Sequence, residues 1–388
     1  MDLKAIQSAL AERGIDAWLF YDHHHRDPVA YRILGLPADL HVTRRWYYLI
    51  PAKGEPQKLV HRIEAKHLDR LPGAKNVYST WQEHQNALQT MLAPHQKVAM
   101  QYSPNNLVFI ISLVDAGTIE LIRSFGKTVV TSADLVSRFE AALNDPQIKS
   151  HFAARDKVDA IMESAWKELG RRCANGGTDE HAIQNYILEA FSREKLITDS
   201  PPVVGVNANS SNPHYSPTKE SSQRIRKGDF VLIDMWAKLE QPDSVFYDIT
   251  WTGVVGRAPS EREQQIFRTA RDARDRGFAT VKEAYEQKRK IEGWEVDAAT
   301  RAHIDSAGFG QYFIHRTGHS IGTEVHANGA NMDSVEVKDE REIIPNSLFS
   351  IEPGIYLPEF GVRTEYNVMI HNLKAEITGR VETELMQG

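Results

Sequence analysis

The sequence predicts an α/β segment followed by a larger α+β segment, and three observations carry that reading. Up to about residue 140, short aromatic and aliphatic runs alternate with helix-like stretches, the pattern of an α/β unit. From Asp145-Pro146 onward the chain changes to long helices, with strand-like segments between and after them. At 388 residues it also exceeds what one ordinary core holds, so two domains are expected, 1–144 and 145–388.

In order, residues 2–13 read as a helix closed by Gly14, with Ile6, Leu10 and Ile15 on its apolar side. "DAWLFY" (16–21), "RWYYLIP" (45–51) and "KVAMQY" (97–102) read as strands, rich in aromatic and aliphatic residues. "IEAKHLDRL" suits a short helix, and "DHHHRD" (22–27) reads as a loop after a strand. A long helix follows Asp145-Pro146 to about Ala174, where "NGG" ends it. Thr178, Asp179 and Glu180 cap the next helix, which runs to about Lys195. Ser260 and Glu263 form a capping box for a third, and a fourth spans roughly Glu295 to Gly308. No solenoid repeat and no low-complexity segment interrupts the chain.

Composition excludes several classes. Hydrophobic residues at 41% and charged residues at 25% describe a globular protein. A net charge of −6 gives no basic footprint for nucleic acid. The single cysteine, Cys173, forms no internal disulfide and fits a reducing compartment. "MDLKAIQSALAERG" has no apolar signal core, and no apolar run reaches the roughly 18 residues of a membrane span. A cytoplasmic address is expected.

The chemistry concentrates in "HRTGHSIGTEVH" (315–326) and in two strand-turn-strand segments. Gly318 and Gly322 bracket His319, and no Glu follows His315, so a helical zinc-protease site is excluded. "DFVLIDMWAKLEQPDSVFYDITWTGVVG" (229–256) reads as a hairpin centred on Gln241, which puts Asp234 directly across from Asp248. Opposed residues share a face with Cβ atoms roughly 5 Å apart. Two carboxylates so placed repel by roughly 4 kcal/mol at 4 Å and an effective dielectric of 20. "LFSIEPGIYLPEFGVRTEYNVMI" (348–370) repeats the pattern, with Glu352 and Glu365 symmetric about the Pro358–Glu359 bond. Four carboxylates and one imidazole suit two divalent cations, which would offset the repulsion. Cations roughly 3.5–4 Å apart share and acidify a bridging water, giving hydroxide at neutral pH.

These residues resemble the pita-bread-fold metallopeptidases, which include methionine aminopeptidase, prolidase and aminopeptidase P. The resemblance lies in the order Asp, Asp, His, Glu, Glu, met here by Asp234, Asp248, His319, Glu352 and Glu365. It implies that these five hold two divalent metal ions, manganese first, with cobalt, zinc or iron compatible, and that Glu352 is the general base. It also implies that His214 of "NPHY" contacts the scissile amide and His326 the substrate carbonyl. His315 and Arg363 match substrate-binding positions of the proline-specific branch. The N-terminal segment resembles the creatinase/prolidase N-terminal domain. The resemblance therefore implies an exopeptidase that hydrolyses Xaa-Pro bonds in dipeptides or short peptides, working as a homodimer.

The chain departs from that pattern at four places. Trp236 stands where the family has the glycine of Asp-x-Gly, and Trp251 where an arginine follows Asp-x-Thr. Ser320 replaces the glycine after the ligand histidine, and Ala327 an acidic residue after the second histidine. Competing readings on the same fold are a creatinase-like amidinohydrolase, a metal-dependent lyase and a silent binding module. The first and third typically lack ligands that this chain keeps.

Overall fold

The computed structural model describes residues 1–388, which divide into two compact units, Met1–Glu140 and Ala141–Gly388. The division falls slightly before the expected 144/145 junction.

In the first unit, alternation builds a mixed sheet with two apolar faces. Trp18, Phe20, Trp46, Tyr48 and Ile50 enter one core with Ile6 and Leu10 of the helix Leu3–Glu12. The intervening Leu19, Tyr47 and Leu49 enter the other with Leu88 and Leu92 of the helix Trp81–Leu92. A period of two sends successive side chains to opposite faces, so a sheet covered on both sides reads as a continuous apolar run. The strand order is Ala74–Tyr78, Gln57–His61, Trp46–Pro51, Ala17–Asp22, Lys97–Met100 and Thr128–Thr131. "IEAKHLDRL" departs from the expected helix: it holds the end of one 3-10 turn, Arg62–Glu64, followed by further turns. There the Glu64 carboxylate is taken up by the Thr43 and Arg44 amides.

The second unit carries four long helices: Asp145–Ala174, Glu180–Arg193, Glu261–Glu286 and Gly293–Ser306. Asn144 and Gln147 box the first, Asp179 caps the second, and Ser260 with Glu263 boxes the third as expected. No helix of the chain is long and apolar enough to cross a membrane.

Two hairpins form the heart of this unit. In the first, Phe230–Leu239 pairs antiparallel with Tyr247–Val254. Val231, Ile233, Met235, Ile249 and Trp251 pack against Trp166, Ile183 and Ile187 of the helices. By alternation, Asp234, Trp236, Asp248 and Thr250 occupy the opposite face. The register corrects the expected centre at Gln241: Asp234 pairs with Thr250 and Trp236 with Asp248, so the two aspartates are diagonal neighbours. The ladder ends at Ala237–Tyr247, because the next residues pair elsewhere. The Phe246 amide bonds Gly322, the Val245 amide bonds Ser150, and Asp243 turns the chain at φ 57°. Diagonal neighbours remain within reach across a sheet face.

The second hairpin keeps the expected register. Gly354 pairs with Arg363 and Ile351 with Tyr366, which leaves Glu352 and Glu365 symmetric about the turn.

Candidate metal centre

Carboxylate oxygens of Asp234, Asp248 and Glu365 lie within 4.8 Å of one another, all three residues buried. Asp234 Oδ1, Asp248 Oδ1 and Glu365 Oε1 have no hydrogen-bond partner. Buried oxygens are rarely left so, and a cation among them is the simplest way to satisfy all three. His319 completes the cluster, with Nε2 3.4 Å from Asp248 Oδ2 and 3.3 Å from Glu352 Oε1. Its Nδ1–H donates to the Ser320 carbonyl at 3.2 Å, which turns the Nε2 lone pair toward the carboxylates. Burial lowers His319 from the ordinary histidine value, against the opposing pull of Glu352. That donor set fits divalent cations and is unfavourable without them.

The electrostatics point the same way. Burial first, then repulsion from Asp248 and Glu352 against the pull of Arg363, pushes Asp234 up to about 7. Burial and neighbouring carboxylates drive Asp248 and Glu365 well above the usual carboxylate range. Burial alone would raise Glu352, yet His319, Arg363 and His315 outweigh it and hold Glu352 low. Glu352 is the acid of the set that stays ionised most readily.

Of the other residues singled out in the sequence, Arg363 is at the centre. Its guanidinium contacts Asp234 Oδ2 and lies 3.7 Å from Glu352 Oε2, so both carboxylates share one cavity. His326 stacks edge-on to His319 with ring centroids 4.3 Å apart, one side open to solvent. Desolvation, then the neighbouring His319 and Arg316, brings its imidazole down to about 4. His315 is one step removed: its Nδ1–H donates to the Arg316 carbonyl, and its Nε2 accepts from the Tyr356 hydroxyl at 2.7 Å. That hydroxyl in turn accepts from Arg363 at 3.2 Å. His214 stands exposed on the loop after Asn207–Ser211. The loop is anchored next door, where the Tyr215 hydroxyl donates to the buried Glu180 carboxylate at 2.6 Å.

Several supporting residues have no signal of their own in the sequence. Thr250 donates to Glu365 at 2.8 Å and accepts from Arg363 at 2.9 Å, linking the two hairpins. The Ser350 hydroxyl accepts from the His319 amide and donates to Glu352. Asp297, fully buried on the fourth helix, accepts from the Thr317 amide and hydroxyl and from the Ser334 amide. It thereby fixes the loop two residues before His319.

Gly318 makes the approach of that loop possible. A Cβ there would lie 2.0 Å from the Ser350 carbonyl oxygen. Gly318→Ala is expected to destabilise the protein by about 1–3 kcal/mol, as overpacking does, and to lower metal content. Thermal unfolding beside a metal assay checks this, and an unchanged midpoint would contradict it.

Residues 151–372 match the sequence profile of metallopeptidase family M24. The chain belongs to that family. Among its M24 relatives, an Xaa-Pro dipeptidase of Pyrococcus furiosus is 32% identical over 202 residues, 52% of this chain and 53% of that protein. An Xaa-Pro dipeptidase of Pyrococcus horikoshii is 31% identical over 257 residues, covering 65% of this chain and 66% of the relative. The chain thus spans little more than half to two thirds of the length of these curated relatives. Two solved structures show the shared fold over nearly the whole length. A prolidase from Thermococcus sibiricus aligns at TM-score 0.63 and 24% identity, covering 100% of this chain and 98% of that one. A dipeptidase from Mycobacterium ulcerans aligns at TM-score 0.71 and 22% identity, covering 99% and 96%. The architecture is the expected pita-bread fold of M24 proteins.

Proposed function

We propose that this M24 protein is a metal-dependent exopeptidase that hydrolyses Xaa-Pro bonds in dipeptides or short peptides. The observation that carries the reading is the buried trio of Asp234, Asp248 and Glu365 with three unpartnered oxygens, closed by His319. The names of the Pyrococcus relatives support the Xaa-Pro substrate class. An X-prolyl aminopeptidase from Caenorhabditis elegans, described as having a di-nuclear active site, shares the fold at TM-score 0.64, 17% identity, and 98% and 61% coverage.

Asp234, Asp248, His319, Glu352 and Glu365 would hold two divalent ions, with manganese the first to try. When bound, such ions polarise a carbonyl and make water acidic near neutral pH. Glu352, ionised and only partly covered, takes the proton of the attacking water and returns it to the departing amine. Ser350 holds that carboxylate by one oxygen, which leaves it oriented through both transfers. His326, a neutral ring at the open edge, donates a hydrogen bond to the substrate carbonyl as charge develops there. Arg363, tied to Thr250 and Tyr356, keeps Asp234 in place, and His315 steadies Tyr356. His214, exposed on its loop, is assigned to the scissile amide by its spacing to Asp234 alone.

The test is hydrolysis of Ala-Pro and of a tripeptide with proline second, using chelator-stripped protein resupplied with manganese, cobalt, zinc or iron. Release of the first amino acid, with proline from the dipeptide and a Pro-Xaa dipeptide from the tripeptide, is expected only with added metal; full activity of stripped protein would overturn the reading. His326→Ala is expected to lower kcat by about 10²-fold with metal content unchanged, the scale of one lost transition-state donor. A kinetically silent variant would remove His326 from the mechanism.

A further inference from the structure

The residue pair Trp236–Asp199 has no part in the chemistry above, and its placement is specific. Trp236 is the register partner of Asp248, so its indole leaves the sheet on the face that carries the metal-binding carboxylates. Directly paired residues hold their Cβ atoms within about 5 Å of each other. The core on the opposite face is already filled, by Trp251, Met235 and Ile249 among others, so Trp236 is not needed there. It packs instead on a smaller cluster that includes Phe246, Val325 and Ile321, and it stays only half-buried. The indole N–H donates to Asp199 Oδ1 at 2.6 Å, and Asp199 itself is exposed. A ring clamped at one edge and open on one side is preorganised to receive an apolar group at little cost in entropy. Lys238, next along the same face, is already occupied: its ammonium donates to the Thr323 carbonyl and lies over the Phe246 ring.

We infer that Trp236, fixed by Asp199, is an aromatic wall of the substrate pocket that selects peptides with a large apolar residue before the scissile bond. This rests on the peptidase reading above, in which proline follows the bond and the first residue is the one free to vary. The wall contributes to binding and not to the proton transfers, so its removal acts on KM and leaves kcat.

The experiment measures kcat and KM for Gly-Pro, Ala-Pro, Leu-Pro and Phe-Pro with metal-loaded wild-type, Trp236→Gly and Trp236→Phe proteins. Calorimetric binding of the same dipeptides to the Glu352→Gln protein, with and without each Trp236 change, reads recognition without turnover. Trp236→Gly is expected to raise KM and Kd for Leu-Pro and Phe-Pro about tenfold, the scale of a lost apolar pocket contact, with Gly-Pro shifted less than about twofold. Trp236→Phe, which keeps a ring and loses the Asp199 bond, is expected to fall between. A shift equal for all four peptides, or none, overturns the inference, because a merely structural role would not sort substrates by side chain. If no peptide is hydrolysed the peptidase reading fails, while the ranking of binding constants still decides on Trp236. Absence of binding by every peptide overturns both.

Discussion

Glu352→Gln is expected to keep bound metal and lose kcat by about 10²–10⁴-fold, the range attributed to a positioned general base. The substitution preserves volume, and one side-chain oxygen still accepts from Ser350. The capacity to take a proton is removed. Four other proposed ligand side chains remain, Asp234, Asp248 and Glu365 among them with their unpartnered oxygens, so metal content is expected to hold. Glu352 differs from those three in two ways that suit it to the task. Its neighbours hold it ionised, whereas burial and crowding push Asp234, Asp248 and Glu365 toward protonation. It is also the least covered of the four, with a side chain 15% exposed, so water reaches it. Turnover measured beside metal content on one preparation checks the expectation. Activity within a few-fold of wild type would reassign the base.

Glu365→Gln should have opposite effects on the empty and the loaded protein. Glu365 is fully buried, one oxygen is unpartnered, and its repulsive neighbours include Asp248 and Glu352. In the empty protein that carboxyl costs free energy whether it ionises against its acidic neighbours or takes up a proton, and glutamine removes the cost. Glutamine still accepts from Thr250 through its oxygen. The chelated variant should therefore melt several degrees above the chelated wild type, at about 2–4 °C per kcal/mol for a unit of this size. With cation added, the order reverses: the wild type gains about 2.7 kcal/mol at a hundredfold excess over Kd, and the variant gains little. Scanning calorimetry with chelator and with manganese reads all four states. A variant that loses stability when chelated yet still responds fully to manganese would refute the assignment of Glu365 as a ligand.

How much of this was legible beforehand depended on whether a signal was local. Acidic residues inside apolar runs stand out in a sequence, and turn residues fix the approximate centre of a hairpin, so Asp234 and Asp248 could be placed on paired strands; Glu352 and Glu365 keep their symmetry but fall in two-residue breaks between ladders. The second hairpin kept its predicted register because its short turn leaves little choice. The first slipped, since Val245 and Phe246 bond to Ser150 and Gly322, contacts that no local pattern announces. Thr250, Ser350 and Asp297 were invisible for a related reason. Threonine in a strand and aspartate in a helix are ordinary, and only the folded arrangement turns them into links between carboxylates and the His319 loop. His214 shows the converse case: a resemblance in spacing named it, and the structure leaves it exposed on a loop.

Asp297 sits on a helix, while Trp236 and Asp199 sit on a strand and an exposed segment, with no shared hydrogen bond among them. The bonds that fix the His319 loop and the bond that clamps the proposed rim tryptophan thus use different side chains. If the proposed rim sorts peptides, exchange of its side chains alters preference without touching the bonds that hold the His319 loop, which makes Trp236 the first place to redirect specificity by design.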